Sequence, residues 1–281
     1  MREPEVFPPD WAVAYGDDRH GLWAEFAVGD VRQRMRWIVP GEFLMGSPDD
    51  EPGRSSGEGP QHRVRISRGF WLADTACTQA LWLAVMGPPN PSRFADDVQN
   101  PVERVSWDDV TGFLERLAQR LPGAAEAAAG PPPGPAGLPT EAEWEYACRA
   151  GRKKAFNLGP NITPEQVNYY GTFPYHGAPK GEYRGRPVPV RSFEPNRWGL
   201  YQMHGNVWEW CADGQRRYEV PEDGEALEDP QGPAEPGPEA HRCVRGGSWF
   251  SRARNARSAY RNASQRGHRS VHLGFRLALR S

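Results

Sequence analysis

The chain has 281 residues, with 34 Lys and Arg against 36 Asp and Glu, 31 Gly, 29 Pro and 11 Trp. No apolar run approaches the ~20 residues of a membrane span, and Gly and Pro at roughly twice their ordinary usage work against long helices and coiled coils. A Trp-rich chain buries surface, so wholesale disorder is disfavoured, leaving a loop-rich globular protein of one large domain or two small ones.

The opening MREPEVFPPDW has no apolar stretch of signal-peptide type, so a cytoplasmic location is expected. Residues 9–38 hold Trp11, Trp23, Phe26 and Trp37 and end in the alternating VRQRMRWIV. They read as short strands, and residues 1–38 are expected to form an N-terminal extension or small β subdomain before a main domain at 39–281. GEFLMGS (41–47) reads as a strand into a Gly turn, EPGRSSGEGPQ (51–61) as a polar loop, and HRVRIS (62–67) as a half-buried strand.

Three short helices follow. TQALWLAVMG (78–87) starts on a capping Thr78 and stops at Gly87. SWDDVTGFLERLAQRL (106–121) opens with a Ser-x-x-Asp capping box, and Val110, Phe113, Leu114, Leu117 and Leu121 make one apolar face. TEAEWEYACRAG (140–151) opens with the box Thr140/Glu143 and closes at Gly151. Two insertions, the Pro/Gly/Ala-rich 122–137 and the acidic 219–240, hold too little apolar surface to order themselves and are expected as flexible loops. Cys77, Cys148, Cys211 and Cys243 are widely spaced with no CxxC, and read as free buried thiols.

The seven His show no HExxH or HxH spacing, and neither a GxSxG elbow nor a P-loop lysine is present. Two segments stand out. GLYQMHGNVWEWCAD (199–213) reads either as a packed turn with buried Trp rings and Asn206 bonded to backbone, or as a Ca²⁺ site built from carboxylate, amide and backbone oxygens. RCVRGGSWFSRARNARSAYRNASQRGHRSVHLGFRLAL (242–279) reads as a strand entering a tight turn, an Arg-rich aromatic stretch, and a closing strand at LGFRLAL. Residues 241–281 carry ten Arg and no Asp or Glu. Arg with aromatics suits nucleic acid or protein recognition, and equally a loop-rich core segment whose arginines pair with acids elsewhere. The net acidity of the rest of the chain ranks nucleic acid last.

GEFLMGS, NPVERVSWDDV, LPTEAEWEYACRAG, NRWGLYQMHGNVWEW and CVRGGSW…LGFRL occur in that order. With these motifs, from about residue 35 to the end, the chain resembles the formylglycine-generating enzyme, or sulfatase-modifying factor, family. The resemblance implies an α+β, C-type-lectin-like fold of the sulfatase-modifying type: short helices, small twisted antiparallel sheets and many loops. The family's enzymes oxidise a substrate cysteine using O2, copper and two cysteines five residues apart after the GGS motif. Ser251 and Ala256 stand at those positions. A hydroxyl does not replace a soft thiolate for Cu(I), so no copper and no oxidase activity are expected. The resemblance also implies structural calcium at the carbonyls of Gly205 and Val207 and the carboxylate of Glu209, with Gln202 in place of the usual Asn or Asp. A second family site involves Asn168 and the Tyr169 carbonyl, its Asp partner lost or displaced to Glu182.

RGGSWFSRARNARSAYRNASQRGHRSVHLGFRL also looks like the variable region of proteins diversified by diversity-generating retroelements. That resemblance implies a variable binding region at 245–276, with varied positions Phe250, Ser251, Arg252, Tyr260, Asn262, Ala263, Ser264, His268, Ser270, Val271 and His272. Trp249, Gly246, Gly247 and Phe275 are its fixed scaffold. Mutating only the adenines of an AAC codon cannot yield Lys, Glu, Gln, Met or Trp, and none of these occurs at the candidate positions. The expected function is therefore non-catalytic binding of a protein ligand on a diversified C-terminal surface. The alternatives are a formylglycine-type or other protein-modifying enzyme, and a nucleic-acid binder.

Overall fold

The computed structural model describes residues 3–121, 136–221, 224–233 and 241–280. The N-terminal alternation forms an antiparallel meander of β1 (Ala14–Asp18), β2 (Gly21–Val28) and β3 (Val31–Ile38). Ala24, Phe26 and Val28 on β2 and Met35 and Trp37 on β3 bury their side chains, as a period of two requires. Next come β4 (Gly41–Met45), β5 (His62–Ile66) and β6 (Phe70–Ala73). Because β3 pairs with β6, Trp37 opposite Trp71, residues 14–38 belong to the main sheet. The expected separate extension or subdomain is corrected on this point.

The three helices lie where the caps put them. In α1 (Gln79–Met86) the Thr78 hydroxyl accepts from the Leu81 N–H at 3.1 Å, and Gly87 ends the helix at φ 78°. In α2 (Trp107–Ala118) Ser106 and Asp109 form the capping box, and Val110, Phe113 and Leu117 are buried. After β7 (Ala136–Gly137), α3 (Glu141–Arg149) starts on the Thr140/Glu143 box. Its left-handed terminal residue is Ala150, at φ 44°, one position before the expected Gly151.

The C-terminal half contributes β8 (Trp208–Gly214), β9 (Leu227–Glu228), β10 (His241–Arg245), β11 (Asn262–Gln265), β12 (Leu273–Phe275) and β13 (Ala278–Leu279). Three sheets result, in the orders β1-β2-β3-β6-β13-β7, β11-β10-β8-β12 and β4-β5-β9. LGFRLAL, expected as one strand, is two strands in different sheets: β12 runs parallel to β8, and β13 pairs antiparallel with β6 and β7. The acidic insertion is not simply a free loop, because Leu227 and Glu228 pair in parallel with Val64 and Arg65. Most of the 122–137 insertion, and residues 222–223 and 234–240 of the second, lie outside the described residues.

The main core gathers Trp71, Trp82, Phe113, Trp210 and Phe275 between the six-stranded sheet, α1, α2 and β8. Trp82 stacks on Phe113 at 5.3 Å and meets Phe275 edge-on. A second cluster surrounds Trp144 and Tyr146 of α3 and includes Cys148, Cys211 and Cys243. All four cysteines are buried and free, as expected.

Candidate binding face and the arginine frame

Gly246 and Gly247 turn the chain out of β10 at φ 95° and 74°. A Cβ on Gly247 would stand 3.0 Å from the Ala256 Cα, so the turn needs glycine. The next residues separate into buried and exposed. Trp249 is buried, donates from Nε1 to the Val271 carbonyl at 3.2 Å, and packs edge-on against Phe94. Phe250 is 54% exposed. Its ring lies 5.5 Å from Trp249 and 6.0 Å from Tyr170, and it stacks on His272 at 6.0 Å.

Tyr170, Phe173 and Tyr183, from the coil 168–186, extend this aromatic face. Tyr170 and Tyr183 stack at 4.0 Å, Tyr183 stacks on Trp249 at 6.2 Å, and Phe173 meets Tyr170 edge-on at 4.9 Å. Arg252 places its guanidinium 4.8 Å over Phe173. These three aromatics are not among the positions expected from the sequence; NYYGTFPYHG (168–177), a cluster of rings broken by Gly and Pro, carries the signal for Tyr170 and Phe173, while Tyr183 lies beyond it.

The candidate positions do not all share one surface. Phe250, Arg252, Val271 and His272 lie on or beside the aromatic face, with the Ser270 hydroxyl 3.1 Å from the His272 ring. Ser251 is buried: its hydroxyl accepts from the Ser248 N–H at 3.1 Å and its carbonyl accepts from the Tyr170 N–H. As a surface contact it is corrected; it fixes the turn. Asn262, Ala263 and Ser264 lie on β11, at the sheet edge opposite β12, three strand spacings or about 14 Å away. Tyr260 is half-buried against Trp208, and His268 is exposed in the turn after β11. Phe275 is fully buried in the main core.

Among the described residues, Arg245, Arg257, Arg261, Arg266, Arg269, Arg276 and Arg280 form ion pairs. Arg257 grips both oxygens of Glu58, at 2.6 and 2.7 Å, and also meets Glu51. The expected polar loop 51–61 thus delivers two buried carboxylates. Arg245 reaches Glu145 with both partners fully buried, and Arg261 makes a two-pronged contact with Glu141. Arg266 and Arg269 meet Asp108 and Asp109 at the start of α2. Of the readings open for this segment, pairing with acids elsewhere accounts for most of its charge.

Around GNVWEW the packed turn holds. Asn206, at φ 63°, accepts from the Asn168 side chain and the Val188 N–H and donates to the Val188 carbonyl and Gln202. A Cβ on Gly205, at φ 76°, would stand 2.3 Å from the Asn168 carbonyl oxygen. Glu209, expected to face calcium, faces Arg276 instead, at 2.8 and 3.0 Å, and accepts from Trp144 Nε1 at 2.7 Å. Both its oxygens are occupied, so with the Gly205 and Val207 carbonyls it does not fit a calcium ion. Asn168 Oδ1 is buried without a hydrogen-bond partner, an oxygen that could serve a cation beside the Tyr169 carbonyl. Glu182 is paired with Arg184 and largely exposed. Among the described residues no group of three His, Cys, Asp or Glu is arranged to hold a metal ion.

The positions of the family's paired cysteines fit no copper: Ser251 offers a bonded hydroxyl and Ala256 a buried methyl. Near Ala256, His204 Nδ1 lies 2.6 Å from the Ala256 carbonyl, and Cys148 Sγ is 3.7 Å from the Ser258 hydroxyl. Burial pushes the Cys148 thiol up to about 12, which keeps it from serving as a thiolate at neutral pH.

The small sheets, short helices and exposed aromatic face define a C-type-lectin-like domain of the sulfatase-modifying kind. The sulfatase-modifying factor enzyme 1-like domain matches residues 24–281, and the chain belongs to that family. It is 35% identical to the formylglycine-generating enzyme of Thermomonospora curvata, over 89% of this chain and 94% of that protein. Among solved structures it is similar to Treponema denticola variable protein 1, with TM-score 0.72, 27% identity and 92% and 99% of the two chains covered. PvdO from Pseudomonas aeruginosa gives 0.68 and 27%, covering 91% and 97%. No helix among the described residues is long and apolar enough to cross a membrane.

Proposed function

We propose that this chain is a non-catalytic, ligand-binding member of its family that holds a protein on the face around Phe250. The observation that carries the reading is the pairing of Ser251 and Ala256 at the family's thiol positions with an exposed aromatic side chain immediately beside them. Rings and guanidinium groups supply large contact area at modest entropic cost. Diversification of Phe250, Arg252, Val271 and His272 by a retroelement fits a rigid scaffold whose surface side chains can change without disturbing the core. The similarity to a solved variable protein supports this reading.

The test is a comparison of the 3′ end of the gene with its neighbourhood. A near-repeat beside a reverse-transcriptase gene, differing at adenines and at these codons, is the expected result; its absence removes the diversified reading. The 35% identity to a formylglycine-generating enzyme favours a second reading, a protein-modifying oxidase. That reading requires copper binding and conversion of a cysteine-containing peptide, and failure of both in folded protein rejects it. A salt-dependent affinity for oligonucleotides would instead favour nucleic acid.

A further inference from the structure

Arg252 and Arg254 are set apart from the paired arginines. With Lys180, His176, Phe173 and Tyr175 they line an open cavity of about 410 Å³ beside the aromatic face. Its wall holds four basic side chains and no Asp or Glu. The acid adjoining this wall in sequence, Glu51, is buried against Arg257. Tyr175 is fixed by donating its hydroxyl to the Pro52 carbonyl at 2.7 Å, and burial pushes its phenol up to about 12, so it contributes no negative charge. Phe173, 42% exposed, forms an aromatic floor under Arg252.

Cations gathered around one hollow repel each other, and a bound anion relieves that repulsion. Guanidinium forks suit carboxylates in particular, through two parallel N–H···O contacts. The volume lies near the small end of ligand pockets, enough for one or two side chains. We infer that this cavity binds an acidic peptide segment, its carboxylates meeting Arg252, Arg254 and Lys180 while a neighbouring ring lies against Phe173. The inference rests on the reading of the ligand as a protein and adds to it. Arg254, Lys180 and His176 lie outside the candidate varied positions, so attraction for acid would be constant while Phe250, Arg252 and His272 tune specificity.

The test uses the full chain and fluorescein-labelled Tyr-Glu-Glu-Glu, Tyr-Lys-Lys-Lys and oligothymidine, read by anisotropy at low and high salt, with inorganic phosphate as competitor. The acidic peptide should bind saturably, at least about tenfold tighter than the lysine peptide, and weaken as salt rises. The double charge reversal Lys180→Glu with Arg254→Glu, at exposed positions, should abolish that binding and leave the melting temperature unchanged. A missing gene template with intact acidic-peptide binding would reject diversification and keep this site. Equal binding of the two peptides, equal binding by the double variant, competition by phosphate as strong as by the peptide, or tighter binding of oligothymidine would overturn the inference.

Discussion

His204 shows how much one buried ring can decide. Its Nδ1–H donates to the Ala256 carbonyl and its Nε2 accepts from the Asn157 N–H at 3.0 Å, so the ring is the neutral Nδ1–H tautomer. Burial holds its pKa down at about 4, against an ordinary 6.5. A histidine depressed in the fold contributes stability that is complete above the unfolded value and lost as pH falls from 6.5 towards 4, about 3 kcal/mol in all. Asp213 acts in the opposite sense: burial pushes it up to about 6, so stability recovers as pH falls from there towards 3.8. The two act against each other in the whole protein. The stability difference between wild type and His204→Gln, from urea unfolding, should therefore shrink by about 3 kcal/mol between pH 7 and pH 4. A constant difference would reject the neutral tautomer.

Arg245 offers a second residue-scale prediction. Besides Glu145 it satisfies the carbonyls of Ser258, Ala259 and Tyr260. Arg245→Met should destabilise by about 3–5 kcal/mol in urea unfolding, because it leaves a buried carboxylate with one fewer cation. Arg245→Lys should recover only part of this, since an ammonium lacks the fork that spans these groups.

At the scale of elements, what could be read in the sequence was what is local. The Ser106/Asp109 and Thr140/Glu143 boxes act within one helical turn, so residue spacing alone revealed both helices. The division of LGFRLAL between two sheets was hidden, because it depends on partner strands far away in the chain. So was the role of Glu58, which meets an arginine 199 positions later. The proposed binding face was half legible: Phe250, Arg252 and His272 belong to one motif, whereas Tyr170 and Tyr183 reach it only through folding. Buried Ser251 and distant β11 were misplaced because a motif does not reveal which way its side chains point. The turn into β8 gives a prediction at this scale. Gly205→Ala forces a left-handed residue and a clash with the Asn168 carbonyl, and should cost about 2 kcal/mol or more, seen as a lower melting temperature. An unchanged melt would mean that the turn can relax.

For the whole molecule, the exposed face should be separable from the scaffold. Phe250→Ser with Arg252→Ser and His272→Asn should shift the melting temperature by no more than about 2 °C, as surface changes do. Trp249→Ala, by contrast, removes a buried ring and should cost about 3 kcal/mol or more. A large loss from the triple variant would show that the face itself holds the fold together.

The arginine pairs also order events in time. Glu58, Glu141, Glu145 and Glu209 are buried carboxylates whose partners Arg257, Arg261, Arg245 and Arg276 all come from the last stretch of chain. Before that stretch is made, Glu58, Glu141 and Glu209 lack these cations and Glu145 has Arg149 alone, and an unpaired buried charge is strongly unfavourable. These buried pairs are therefore complete only once the C-terminal segment is in place, so the segment that carries the exposed aromatic face also completes the charge balance of the core.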